Sequence, residues 1–271
     1  MTEPVVGLLD QQYRSLEELC DELPVEAWSN QTDCPGWTVQ DQVAHVIGTE
    51  SMLAGRQAPA VGGAVTDALH VKNPIGAANE QWVESFRGRP PAEVVATLHE
   101  VLAERRRQLA ERTTEQFDEL GPSPIGNVPY REFMQVRVMD IWVHEQDVRR
   151  AVERPGNRGG ATADVAIGRF VPAMAFVVGK KVGAPDGTTV AFELTGDSSR
   201  RFAVAVRGGR AQVEEEPAAS PTVRLTMEAE TWWCLSMGRW DGPTARQKGL
   251  VRIEGDRELG ERVVDNLCFM I

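Results

Sequence analysis

The stretch Arg154–Gly160, rich in proline and glycine, divides this 271-residue chain into two parts with different hydrophobic periods, and that division limits the fold more than any other feature. Before it, apolar residues recur at helical spacing. After about residue 188, short alternating runs rich in β-branched residues take over. The sequence therefore predicts a two-domain α+β chain, with a helix bundle over 1–155 and a smaller α+β domain over 156–271.

In the first part, Leu8, Leu9, Tyr13, Leu16, Leu19, Cys20 and Leu23 mark a helix that stops at Pro24. The loop D-C-P-G-W (Asp33–Trp37) follows. Thr38 then begins a second helix, with Asp41 as the acidic partner of a capping box. Its apolar face includes Val39, Val43, Val46 and Ile47, and His45 lies beside that face. Gly55–Ala68 reads as a loop, and a third helix is expected from about Gly76 to Phe86. A fourth runs over Pro91–Gln116, and a fifth over Tyr130 to about Val152. Gly121–Pro129 is broken by three prolines and two glycines. A helix from about Ala161 to Val182 is placed as a bridge between the domains. Strands are expected at Thr189–Leu194, Arg201–Val206, Ala211–Glu216, Thr222–Met227 and Leu250–Gly255. The turn signals between them include Gly196-Asp197, Gly208-Gly209 and Pro217. A helix ending at Gly238 and a final one from Arg257 to about Cys268 complete the pattern.

The formal net charge of −11 argues against nucleic acid or an anionic membrane surface as a partner, because both require a basic footprint. Uninterrupted apolar runs fall short of the roughly 18 residues of a membrane span. The acidic N-terminus lacks a signal pattern. Cys20, Cys34, Cys234 and Cys268 are widely separated, which fits a reducing cytoplasm and buried thiols better than a disulfide framework or a cysteine zinc site. P-loop, G-x-G-x-x-G and G-x-S-x-G patterns are absent.

The run R-V-M-D-I-W-V-H-E-Q-D-V (Arg137–Val148) holds the candidate chemistry. Asp140 and His144 stand four apart and share one helical face. With His45 they would offer two imidazoles and a carboxylate to a divalent metal, and three protein ligands leave a position open. The spacing alone equally fits an ordinary polar pair with a satisfied interior histidine. Asp147, three residues after His144, is the candidate to hold an imidazole N–H. Arg137 is the candidate partner for a carboxylate. Glu145 completes no H-E-x-x-H, because residue 148 is Val. His70 and His99 have no ligand-spaced neighbour. Trp142 and the Trp232-Trp233 pair read as core.

C-P-G-W-T-V-Q-D-Q-V-A-H (Cys34–His45) resembles the first metal-ligand motif of the mycothiol-dependent maleylpyruvate isomerase family, whose N-terminal domain is a DinB-like four-helix bundle. The Arg137–Val148 run resembles its second motif. The C-terminal run G-R-W-D-G-P-T-A-R-Q-K-G-L-V-R-I-E-G-D-R-E-L-G-E-R-V resembles the family's sterol-carrier-like domain. The resemblance implies a divalent metal, usually zinc, on His45, Asp140 and His144. It also implies mycothiol as the thiol cofactor, coordinated as a thiolate nucleophile, and a small electrophilic substrate such as maleylpyruvate. Isomerisation and S-transfer both follow from such chemistry. Arg239, Arg246 and Arg252 are candidate contacts for an anionic substrate or the cofactor. The family's acid in the second motif is Glu; Asp140 is one methylene shorter, so closer helices, an intervening water or a weaker site follows. The alternative is a non-catalytic protein that binds metal or an apolar ligand.

Overall fold

The structure, a computed structural model, describes residues 3–61, 71, 73–216 and 219–269. The chain divides into two compact units, Met1–Asn157 and Arg158–Ile271.

The first unit is helical. Helices α1 (Pro4–Asp21), α2 (Val39–Leu53), α3 (Pro74–Phe86), α4 (Pro91–Glu111), the short α5 (Thr114–Asp118) and α6 (Tyr130–Ala151) follow in order, with a two-stranded hairpin, β1 (Leu120–Ser123) and β2 (Gly126–Pro129), before α6. Helix α1 touches α4 and α6, and α2 touches the same two, so the four long helices close into a bundle. The core is filled by Leu9, Tyr13 and Leu16 of α1, Val43 and Ile47 of α2, Leu98 and Leu102 of α4, and Val138 and Ile141 of α6. Helix α3 lies on α2 where Gly48 leaves room for Trp82: a Cβ at Gly48 would stand 2.4 Å from that of Trp82.

The expected fourth helix ends earlier than its apolar period suggests. Thr113 and Gln116 form a capping box that starts α5, so the backbone breaks after Glu111. The segment Gly121–Pro129, expected to be irregular, is the β1–β2 hairpin. Its prolines are tolerated because each strand has only one neighbour. Part of the expected loop over 55–68, His70 and the turn at Pro217 lie outside the described residues.

The second unit holds α7 (Ala161–Phe170), α8 (Ala173–Phe176) and a widened turn over Val177–Lys181 in place of one continuous helix. By length and composition Ala161–Lys181 could cross a membrane, with mean hydropathy 1.5. Pro172 interrupts it, however, and Ala163, Ile167, Phe170, Met174 and Val178 are buried in this unit's core. Strands β3 (Thr189–Thr195), β4 (Arg200–Arg207), β5 (Arg210–Glu214), β6 (Val223–Glu228) and β7 (Val251–Gly255) form one sheet in the order β5-β4-β3-β6-β7. Only β3 and β6 run parallel. Helices α9 (Ala229–Ser236), α10 (Gly242–Gln247) and α11 (Arg257–Asp265) complete it. Trp232 and Trp233 are buried, as expected of core residues. The two-domain α+β architecture is therefore the one the sequence predicts.

Candidate metal centre

Two helices and one loop build the site. Gly36, at φ +80°, turns the chain before Trp37, a conformation that favours glycine. Thr38 and Asp41 close the capping box: Asp41 Oδ2 accepts from the Thr38 backbone N–H at 2.9 Å, and Thr38 Oγ1 accepts from the Asp41 N–H at 3.3 Å. This sets the start of α2 and carries His45 into the bundle. Helix α6 brings Arg137, Asp140 and His144 along one face.

His45, Asp140 and His144 converge: one ligand atom from each lies within 4.8 Å of the others, the only such group of three or more among the described residues. His45 Nε2 is 3.1 Å from Asp140 Oδ2, and His144 Nε2 is 3.7 Å from Asp140 Oδ1. Ligand atoms around a tetrahedral ion with bonds of about 2.0–2.2 Å stand roughly 3.4 Å apart, so these spacings fit a divalent ion. The imidazole centroids are 4.4 Å apart, and the Trp37 ring lies 5.2 Å from that of His45 and 5.7 Å from that of His144. Trp37 is itself held by its Nε1–H on Glu80 Oε2 at 3.0 Å. The shorter acid at position 140 therefore still meets both histidines.

Protonation also suits the donor set. Burial, reinforced by the neighbouring His144, pushes His45 down to about 4, so its imidazole is neutral at neutral pH, the form that a metal ligand takes. For Asp140, burial opposes ionisation, but the Arg137 guanidinium and the two histidines outweigh it and hold the carboxyl well below the usual carboxylate range. Two imidazoles and one carboxylate form a donor set that zinc accepts.

Beneath the ligands lies a buried ion network. Arg137 donates Nη1 to Asp140 Oδ2 at 2.7 Å and Nε to Glu50 Oε1 at 2.8 Å. Glu50 Oε2 also accepts from Arg105 Nε at 2.9 Å and from the Tyr13 hydroxyl at 2.7 Å. Glu50, Arg105 and Arg137 are all buried. Arg137 thus meets the carboxylate expected of it, and the partners below it, Glu50, Arg105 and Tyr13, were not anticipated. One signal for Arg105 was available: it falls on the apolar stripe of Leu98, Leu102 and Leu109.

Asp147 does not hold an imidazole. Its Oδ2 is 3.9 Å from His144 Nδ1, beyond hydrogen-bond reach, and Arg150 takes its Oδ1 at 2.7 Å. The atom on His144 Nδ1 is instead Gln42 Oε1, at 2.5 Å. Trp142 is buried and donates its Nε1–H to the Asn157 carbonyl at 2.7 Å. His99 pairs with Asp21 and Glu17. In the second unit, Arg246 pairs with Asp265 at 2.8 Å, Arg252 with Glu254 at 2.8 Å, and Arg239 donates to the Met237 carbonyl at 3.0 Å. The structure thus engages these three expected contacts within their own unit. Cys20 and Cys234 are buried, Cys34 and Cys268 partly so.

The family model described as the mycothiol maleylpyruvate isomerase N-terminal domain matches residues 9–149, and that of the SCP-2 sterol transfer family matches residues 179–267. Two uncharacterized proteins of Mycobacterium tuberculosis, from two strains, are each 26% identical over 156 residues. The match covers 55% of this chain and 56% of theirs, so the chain spans about half the length of these curated relatives. Among solved structures, the mycothiol-dependent maleylpyruvate isomerase is similar at TM-score 0.58 and 16% identity, over 89% of this chain and 92% of that one. A point mutant of it is similar at TM-score 0.60 and 14% identity, over 94% and 95%. At these identities the likeness is one of fold.

Proposed function

The chain belongs to the mycothiol maleylpyruvate isomerase N-terminal domain family, and from that premise we propose that it is a metal- and mycothiol-dependent enzyme acting on a small electrophile such as maleylpyruvate. The observation that carries this reading is the convergence of His45, Asp140 and His144, with His45 neutral and Asp140 ionised. These three residues would hold the ion, with zinc suggested by the donor set. A divalent ion bound there supplies the Lewis acidity that keeps a thiol as its nucleophilic thiolate at neutral pH.

The remaining roles belong to the chain itself. Arg137 keeps Asp140 ionised and fixes its rotamer through the hydrogen bond to Oδ2. Glu50 anchors Arg137 from below, so the guanidinium cannot swing away without giving up its hydrogen bond to a buried carboxylate. Trp37 lies beside both imidazoles and restricts water around them.

The test is a metal analysis of the purified protein followed by assays with mycothiol. Stoichiometric zinc, and mycothiol-dependent conversion of maleylpyruvate to its trans isomer, would support the isomerase. Conjugates of mycothiol with other electrophiles, without isomerisation, would support an S-transferase. Absence of bound metal, with no gain on adding zinc, would overturn the enzyme reading and leave a binding protein without chemistry.

A further inference from the structure

The proton on His144 is assigned by a hydrogen-bond chain that begins in the Asp33–Trp37 loop. Thr32 Oγ1 lies 2.8 Å from the Trp37 carbonyl oxygen. A carbonyl has no proton to give, and the Cys34 carbonyl, 3.5 Å away, has none either, so the single hydroxyl proton of Thr32 goes to a carbonyl, the nearer being that of Trp37. Thr32 Oγ1 is then an acceptor toward its other neighbours, the Cys34 backbone N–H at 3.3 Å and the Gln42 side chain at 2.7 Å. The Gln42 atom facing Thr32 must therefore be the amide Nε2. That orientation aims Gln42 Oε1 at His144 Nδ1. An amide oxygen only accepts, so Nδ1 carries a hydrogen, and in the one-proton form of the ring it is the sole nitrogen to do so. The lone pair is left on Nε2, the nitrogen that faces Asp140.

We propose that Thr32 and Gln42 are positioning residues that hold His144 as its Nδ1–H tautomer, with the Nε2 lone pair directed into the site. The functional consequence rests on the metal reading above; the tautomer itself does not. Gln42 is fully buried and stands on α2, three residues before His45, so the helix that supplies one ligand also orients the other. His45 lacks such a clamp: its Nδ1 is buried with no hydrogen-bond partner among the described residues. Of the two imidazoles, therefore, only His144 has its Nδ1 held by a hydrogen bond, and His45 meets Asp140 Oδ2 through Nε2 instead.

The experiment is long-range proton–nitrogen correlation on the uniformly labelled full chain, stripped of metal by chelation, at a pH where the imidazoles are neutral. The chain has four histidines, and His144→Gln assigns the signals of interest. The wild type and Thr32→Ser should show His144 with a protonated Nδ1. Thr32→Val and Gln42→Leu should shift it toward the Nε2–H form, which is the ordinary one for an imidazole in water. Cobalt(II) titration of the same proteins should show affinity about 10–100-fold lower for Thr32→Val and Gln42→Leu than for the wild type, with Thr32→Ser unchanged. A wild-type His144 already protonated at Nε2, or a Thr32→Val protein with an unaltered tautomer and unaltered affinity, would overturn the proposal. If Gln42→Leu does not fold, the wild-type spectrum and the Val/Ser pair at position 32 still decide it. A wild type that binds no divalent ion yet shows Nδ1–H at His144 supports the clamp and removes only the metal reading.

Discussion

Arg137 and Asp140, one turn apart on α6, are joined by a 2.7 Å hydrogen bond, and the arginine is the more deeply buried of the two. A guanidinium in that position serves the carboxylate and in turn depends on Glu50. The site is therefore mounted on an ion network inside the bundle, and its integrity can be measured separately from its chemistry.

Removing Glu50 is expected to be costly. Glu50→Ala leaves Arg105 and Arg137 buried without their shared carboxylate, and breaking a buried pair in this way costs about 3–5 kcal/mol. Chemical denaturation of the metal-free protein checks the loss. A change below about 1 kcal/mol, typical of exposed pairs, would show that the network is not buried in solution.

Asp140→Asn removes the anionic donor while keeping the side chain's shape. Metal affinity is expected to fall by more than the roughly 10–100-fold typical of losing an outer hydrogen-bond partner. Asp140→Glu, which restores the family's usual acid, is expected to retain binding. Zinc competition against a chromogenic chelator measures both; equal affinity of wild type and Asp140→Asn would remove Asp140 from the ligand set.

Gly48→Val should disrupt the contact of α3 with α2. Its new Cβ would meet Trp82 at 2.4 Å, where a helix backbone and an indole both resist movement. Overpacking of this kind costs about 1–3 kcal/mol. Thermal unfolding together with the tryptophan emission spectrum would register it, and an unshifted melting temperature would count against the packing described.

His99 should make stability depend on pH near neutrality. Its hydrogen bond to Asp21, with Glu17 alongside, raises its pKa against a smaller opposing effect of burial. A folded-state pKa above the unfolded value means that the native state binds the proton more tightly. The contribution is complete below about pH 6.5, the unfolded value, and is lost as pH rises through the raised folded value. His99→Gln should flatten stability across that window. Because the ring is partly exposed, the effect should also shrink in high salt. An unchanged pH profile in the variant would dismiss this contribution.

Local signals in the sequence placed much of the molecule. The Thr38–Asp41 capping box fixes the start of α2, the 137–140–144 spacing fixes one face of α6, and the alternating runs mark β3, β4, β6 and β7 to within a residue or so. Each depends on backbone period or on a short-range hydrogen bond, which a linear chain displays. The end of α4 at Glu111 and the β1–β2 hairpin were harder to see. A second cap at Thr113 competed with a continuing apolar period, and prolines masked strands whose outer edges need no ladder partner.

The sequence by itself determined that Asp140 and His144 share a face, that Arg137 lies one turn away, and that a helical part gives way to a sheet-containing one. Only the tertiary structure decided that His45 turns toward that face, that Gln42 rather than Asp147 meets His144, and that Glu50 joins Arg105 to Arg137. The physical reason is that the period of a helix orders side chains around its own axis. The rotation of one helix against another is set by how their buried surfaces interlock, and no single segment contains that information.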